Sequence, residues 1–163
     1  MNLLRTVAIA GTCLALVAAL PVASQPQPKP GSGEPARSTW NKNHRVVIQV
    51  TQNDPAVMNM ALNNAENLVK YYKDKGEKIE IEFVAYGAGL NMMRSDTSPV
   101  KERLTAMSGS IKNITFTGCS NTLANQSKQE SKSITLVPEA RLVPTGIARV
   151  VELEEQGWSY VRP

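Results

Sequence analysis

Between Arg45 and Val50 almost every position is apolar and β-branched (Arg45-Val46-Val47-Ile48-Gln49-Val50), the pattern of a strand covered on both faces. Asn53-Asp54-Pro55 follows, an N-cap candidate with proline in the first helical turn. Beyond it Met58, Ala61, Leu62, Ala65, Leu68, Val69 and Tyr72 recur at helical spacing, while Asn59, Asn63, Glu66, Lys70 and Lys73 fall off that stripe. An amphipathic helix ending at Gly76 is predicted. From Ile79 to Tyr86 the period shortens to two: Ile79, Ile81 and Phe83 take one face of a second strand, and Glu80 and Glu82 begin the other. Two glutamates there read as a solvated strand end rather than an acid–base pair.

Gly87-Ala88-Gly89 reads as a loop, and Met92 stands where a dinucleotide fingerprint would need its third glycine. Ser98-Pro99 is expected to cap a short helix carrying Val100, Leu104 and Met107, with Gly109 as its stop. Ile111 to Thr117 predicts a third strand that stops at Gly118, after which Cys119-Ser120-Asn121-Thr122 opens a helix. Lys128 to Ser133 is polar and reads as loop. A fourth strand over Ala140–Val143 leads through Pro144-Thr145-Gly146 to a helix bearing Ile147, Val150 and Val151. After Gly157, Trp158 to Val161 reads as the last strand.

Strands alternating with helices imply βαβ units, hence a mainly parallel five-stranded sheet in a three-layer α/β/α sandwich. Reactive groups in such sheets gather at the carboxyl ends of the strands. Gly87, Gly89, Cys119, Thr145 and Gly146 all follow strands, so one shared rim is expected.

The amino-terminal pattern is different. Arg5 precedes an apolar run from Thr6 to Leu20, and Pro21-Val22-Ala23-Ser24 offers small residues to a signal peptidase. The run is shorter than the roughly 20 residues of a membrane span, so residues 1–24 read as a secretory signal peptide and the mature chain as one without a stable membrane span. Cys13 lies in that segment, and Thr12 before it fits a lipoprotein box poorly. Residues 25–43 are rich in Pro, Gly, Ser and Lys and read as a flexible tether, leaving residues 44–163 as one domain. The expected location is periplasmic or secreted.

Removal of the signal segment leaves Cys119 as the one thiol, so an internal disulfide is excluded. At the start of a helix it faces unpaired N–H groups and the positive end of the helix dipole, both of which favour thiolate. The bland alternative is a small core hydrophobe. Formal net charge is +4, or +3 without Arg5, too mild to imply nucleic acid. His44 is the sole histidine and reads as a surface residue where the first strand begins, which removes both a Cys/His pair and a zinc cluster. Met58, Met60, Met92 and Met93 read as packing rather than a copper site, so neither metal nor cofactor is expected.

Several of these stretches, in this order, resemble the DsrE/DsrF-like family. They are Val47-Ile48-Gln49-Val50 with Asn53-Asp54-Pro55, Ala61-Leu62-Asn63-Asn64-Ala65, Glu80 to Gly87, Gly118-Cys119-Ser120-Asn121-Thr122, Val143-Pro144-Thr145-Gly146, and Gly157 to Pro163. The resemblance implies a homo-oligomer, trimer or hexamer, and a role in sulfur relay with donor and acceptor proteins. Cys119, in the matching Gly-Cys-x-Asn-Thr position, would be the persulfide carrier, a role that passes to no other residue; Gly87, Gly89, Gly118, Ser120, Asn121, Thr122, Thr145 and Gly146, at the strand ends and the helix start, are the binding rim expected from the topology. The competing expectation is an oligomeric module that binds a small ligand and keeps an inert cysteine.

Overall fold

A computed structural model describes residues 43–163. The stretch read as a signal peptide, with Cys13, and the stretch read as a tether apart from Asn43 lie outside the described residues. Asn43 itself opens the first strand rather than closing the tether.

The elements run β1 (Asn43–Val50), α1 (Pro55–Asp74), β2 (Lys78–Ala85), a 3-10 helix (Gly87–Met93), α2 (Lys101–Ser110), β3 (Ile114–Cys119), α3 (Ser120–Gln129), β4 (Ala140–Val143), α4 (Gly146–Glu155) and β5 (Ser159–Val161). The five strands form one parallel sheet in the order β4-β3-β2-β1-β5. Steps from β1 to β4 go one way, so right-handed crossovers set α1, α2 and α3 on one face. The return from β4 to β5 sets α4 on the other. This is the three-layer α/β/α sandwich.

Strand alternation divides the core accordingly. Val46, Ile48, Val50, Ile81, Phe83 and Phe116 face the α1 side, where Met58, Leu62, Leu104 and Met107 close over them. Phe83 and Phe116 stack at 5.2 Å on adjacent strands. Val47 and Val84 face the α4 side and meet Val150 and Leu153 in a smaller cluster. α1 begins as its sequence dictates: Asp54 accepts the Ala56 N–H at 2.8 Å, with Pro55 in the first turn.

Several expected boundaries move. Gly109 does not stop α2, which continues to Ser110 and is closed by the Ile111 N–H bonding the Met107 carbonyl at 2.9 Å. Val100, not Ser98, is the residue before α2; the Ser98 hydroxyl oxygen accepts the Val100 N–H and its hydrogen goes to the Met92 carbonyl. Pairing of β3 starts at Ile114 opposite Ile81 and extends through Gly118 to Cys119. The stretch after Gly87 is wound into the 3-10 helix rather than left as loop.

Lys128 and Gln129 are helical, and the polar residues beyond them are pinned by charge. Arg94, only 5% exposed, forks between Asp96 and Glu130, and Lys132 bridges the same two carboxylates. His44 is also no simple surface residue. Its ring stacks on Tyr72 at 3.8 Å and its Nε2 lies 2.7 Å from Glu77 Oε2, which ties the start of β1 to the end of α1.

Candidate functional site

The carboxyl ends of β2, β3 and β4 meet at one rim. Gly87, with φ of 58°, follows β2 and donates its N–H to Thr122 Oγ1 at 3.1 Å, while its carbonyl accepts from Gln126 Nε2 at 3.1 Å. Asn121 donates its N–H to the Pro144 carbonyl at 3.3 Å and its Nδ2 to Thr145 Oγ1 at 3.2 Å. Gly146 lies against the Tyr86 ring so closely that a Cβ would come within 2.8 Å of it. Gly87, Cys119, Asn121, Thr122, Thr145 and Gly146 are therefore brought together by direct contacts.

Three other expected rim residues are not joined by these contacts. A Cβ on Gly89 would sit 2.3 Å from the Val50 carbonyl oxygen, so this buried glycine lets the 3-10 helix cross the end of β1. A Cβ on Gly118 would strike Leu136 Cδ1 at 2.6 Å, on the face opposite Cys119. Ser120 makes no side-chain hydrogen bond among the described residues.

Cys119 ends β3 in extended conformation and is the N-cap of α3. Its Sγ accepts the Thr122 N–H at 3.5 Å, and the Pro144 carbonyl lies 3.9 Å away on the other side. The residue is 4% exposed. Burial pushes the thiol pKa up, but the Thr122 hydroxyl and N–H, with the N–H groups of Gly146 and Asn121, pull it down further and hold it below its ordinary value. Gly146 belongs to α4. The groups that lower the thiol pKa thus come from the starts of two helices, where the sequence pointed only to α3.

Beneath this layer, on the α4 face, lies a cluster the sequence did not suggest. Glu82 is 2% exposed, not solvated. Its Oε1 accepts from the Thr117 hydroxyl at 2.8 Å and Arg149 Nε at 2.9 Å; its Oε2 accepts from Arg141 Nη2 at 2.9 Å and Arg149 Nη2 at 2.8 Å. Burial pushes the Glu82 pKa up, and the bonds from Arg149, Thr117 and Arg141 pull it below the usual carboxylate value. Arg149 stands one helical turn after Gly146, so its fork fixes how α4 lies on the sheet and hence where the Gly146 N–H points. The available signal was an inward strand position holding an acid while β4 and α4 each carried an arginine.

Beside the rim, Asn53, Gly87, Asn91, Thr122, Asn125 and Gln126 line a polar groove of about 480 Å³. A larger cavity of about 580 Å³ between α2 and Val137–Glu139 is mostly apolar and shares no residue with the rim. The rim, which holds the thiol of Cys119, is the better candidate on chemical grounds. Among the described residues no three His, Cys, Asp or Glu side chains gather to hold a metal ion. Met58, Met92 and Met93 are buried in the core and Met60 is exposed. No described helix is long and apolar enough to cross a membrane.

No family model and no curated protein matches the chain. Among solved structures it is similar to that of a protein of unknown function from Methanobacterium thermoautotrophicum. The two share 28% identity and a TM-score of 0.63, over 74% of this chain and 99% of the other. That likeness extends the fold to a second protein and assigns no activity to either.

Proposed function

We propose that the chain is an exported sulfur-relay protein of the DsrE/DsrF-like kind, carrying a transient persulfide on Cys119. The observation that carries this reading is the place of Cys119 at the N-cap of α3, where its Sγ accepts the Thr122 N–H at 3.5 Å and neighbouring N–H groups hold the thiol pKa below its ordinary value. In the step this chemistry allows, the Cys119 thiolate attacks the outer sulfur of a donor persulfide, R–S–SH. A bond forms between the two sulfurs, the donor's S–S bond breaks, and the pair of electrons leaves with R–S⁻; Cys119–S–SH remains. Transfer to an acceptor thiol repeats the exchange in the opposite sense, with no net oxidation.

Homo-oligomerisation belongs to the same reading. Ile147 and Val151, one turn apart on α4, are 49% and 46% exposed, which supports a face covered by another copy. A second reading, the ligand-binding module with an inert cysteine, is favoured by the 4% exposure of Cys119. Incubation of the folded protein with a small-molecule persulfide separates the two. Mass spectrometry should find one added sulfur on the Cys119 peptide and none in Cys119→Ser. A thiol that stays unmodified by both persulfide and alkylating reagent overturns the carrier reading in favour of the second.

A further inference from the structure

The cavity of about 580 Å³ lies at the other end of β4 from the thiol: Glu139, on its wall, precedes Ala140, where β4 begins, whereas Cys119 pairs with Val143, where β4 ends. One wall is a face of α2, on which Lys101 and Thr105 stand one turn apart, as do Glu102 and Ala106. Thr105 gives its hydroxyl hydrogen to the Lys101 carbonyl at 3.4 Å. The facing wall, Ser95 with Val137–Glu139, is fixed by backbone bonds. The Ser95 N–H reaches the Thr135 carbonyl at 2.9 Å, the Val137 N–H reaches the Met93 carbonyl at 2.9 Å, and the Ala140 N–H closes a turn on the Val137 carbonyl at 3.0 Å. Val137, Pro138 and Ala106 supply the apolar lining. A space of this volume between fixed, mainly apolar walls has the dimensions of a small-molecule site.

Glu139 is the exception in that lining. Its Oε2 is closed off from solvent and accepts no hydrogen bond among the described residues. A buried carboxylate oxygen is normally met by a donor, because one left without it bears the cost of desolvation uncompensated. Lys101, the one cation among the lining residues, does not supply the donor: its Nζ turns to the Ser95 carbonyl at 3.3 Å. Glu102, which is exposed, adds a second carboxylate. Two negative charges therefore face one positive charge that is engaged with backbone. We propose that this cavity binds a small organic cation, a primary ammonium on an aromatic or branched aliphatic body, with the ammonium against the Glu139 carboxylate and the body against Val137, Pro138 and Ala106. The charge of a carboxylate is shared by its two oxygens, so an ammonium that meets either one compensates the group, and it brings three hydrogens to do so. A neutral molecule of the same shape leaves Glu139 unpaired, and an anion adds a like charge. The site stands apart from Cys119 and does not depend on whether the thiol carries sulfur.

The test is isothermal titration calorimetry on the full-length protein with phenethylamine, an ammonium at neutral pH. Phenethyl alcohol and hydrocinnamate keep the body and make the head neutral or anionic. The amine should saturate one site per chain and bind roughly tenfold or more tightly than either, the scale of one hydrogen bond between charged groups. Glu139→Gln should bring the amine down to the level of the alcohol. Glu102→Gln, at an exposed position, should change its affinity by about threefold or less. Ala106→Trp, which fills the cavity, should abolish binding. An amine that does not saturate, an alcohol that binds as tightly as the amine, an affinity that survives Glu139→Gln or Ala106→Trp, or a loss in Glu102→Gln as large as in Glu139→Gln overturns the proposal. The comparison of the three heads on the parent protein decides it even where a variant does not fold.

Discussion

On one face of the sheet α1 and α2 close over Ile48, Phe83 and Phe116 in an apolar core. On the other, α4 covers Val47 and Val84 but also a carboxylate, Glu82, and a thiol, Cys119. Apolar burial is non-directional and holds layers together without fixing an angle between them. The four hydrogen bonds on Glu82 are directional and come from β3, β4 and α4, so they set where α4 lies. The thiol sits on the face whose geometry is held by directional bonds. Of the two, that is the face on which an N–H must be aimed at an atom.

The comparison breaks most openly at two adjacent residues of β2 that point opposite ways. Phe83→Ala should cost about 3–5 kcal/mol as a cavity in the larger core. Glu82→Ala should cost a similar 3–5 kcal/mol for a different reason, since Arg149 and Thr117 lose their partner in a buried site. Urea unfolding measures both. The thiol separates them: Phe83→Ala should leave the alkylation profile of Cys119 unchanged, and Glu82→Ala should shift it as α4 loosens and the Gly146 N–H drifts. If Glu82→Ala costs under about 1 kcal/mol, the cluster is ornament and the α4 face is held by its four apolar residues.

Acid sharpens the same contrast with a smaller effect, because protonation weakens the cluster without removing the side chain. The Glu82 pKa is lower in the folded chain than unfolded, so its contribution is full above the unfolded value, near 4.3, and is lost as pH falls through the folded value. Asp96 and Glu130, held down by Arg94 and then Lys132, shift in the same direction on an exposed site. The difference between parent and Glu82→Gln therefore isolates the buried group. It should be constant from pH 7 to about 5 and shrink below that, by urea midpoints. A difference that grows on acidification would reverse the sign and refute the assignment.

What could be read from the sequence followed the same division. The α1 face is coded by periodicity within each segment, and the stripe from Met58 to Tyr72 and the alternation of Ile79, Ile81 and Phe83 each predict their element with boundaries near the observed ones. The rim was legible because strand ends in a parallel sheet share one side. Glu82 was not, because its partner Arg149 is 67 residues away and nothing local distinguishes a buried glutamate from a solvated one. The second helix terminus at Cys119 was hidden for the same reason: Gly146 approaches only because β4 returns beside β3. Gly89 read as part of a binding turn, and only the 2.3 Å approach of its absent Cβ to the Val50 carbonyl shows it as a packing glycine.

That glycine gives an intermediate effect. Gly89→Ala forces a methyl onto backbone and should cost about 1–3 kcal/mol or more, whereas the clash at Gly118→Ala is with the ends of the Leu136 and Leu90 side chains and should be cheaper. Thermal unfolding of the two variants side by side measures this. Equal losses would mean that the 3-10 helix lifts off β1 as easily as a leucine turns.

The smallest expected change in stability is the most informative about the thiol. Two of the described helices begin with side-chain caps: Asp54 holds the Ala56 N–H at 2.8 Å on α1, and Cys119 holds the Thr122 N–H at 3.5 Å on α3. Sulfur is the poorer acceptor, and cysteine is not among the favoured N-cap residues, whereas serine is. A serine hydroxyl at position 119 can accept the same N–H and donate to the Pro144 carbonyl, so the buried polar group is satisfied. Cys119→Ser should therefore leave unfolding within about 1 kcal/mol of the parent, while Asp54→Ala loses about that much from α1. Were Cys119 kept for packing, exchanging its sulfur for a smaller, more polar oxygen in a 4% exposed site would cost more than the better cap returns. A variant as stable as the parent, yet unable to take up sulfur, would mean that the residue is held there for its chemistry; a loss of 2 kcal/mol or more would return it to the core.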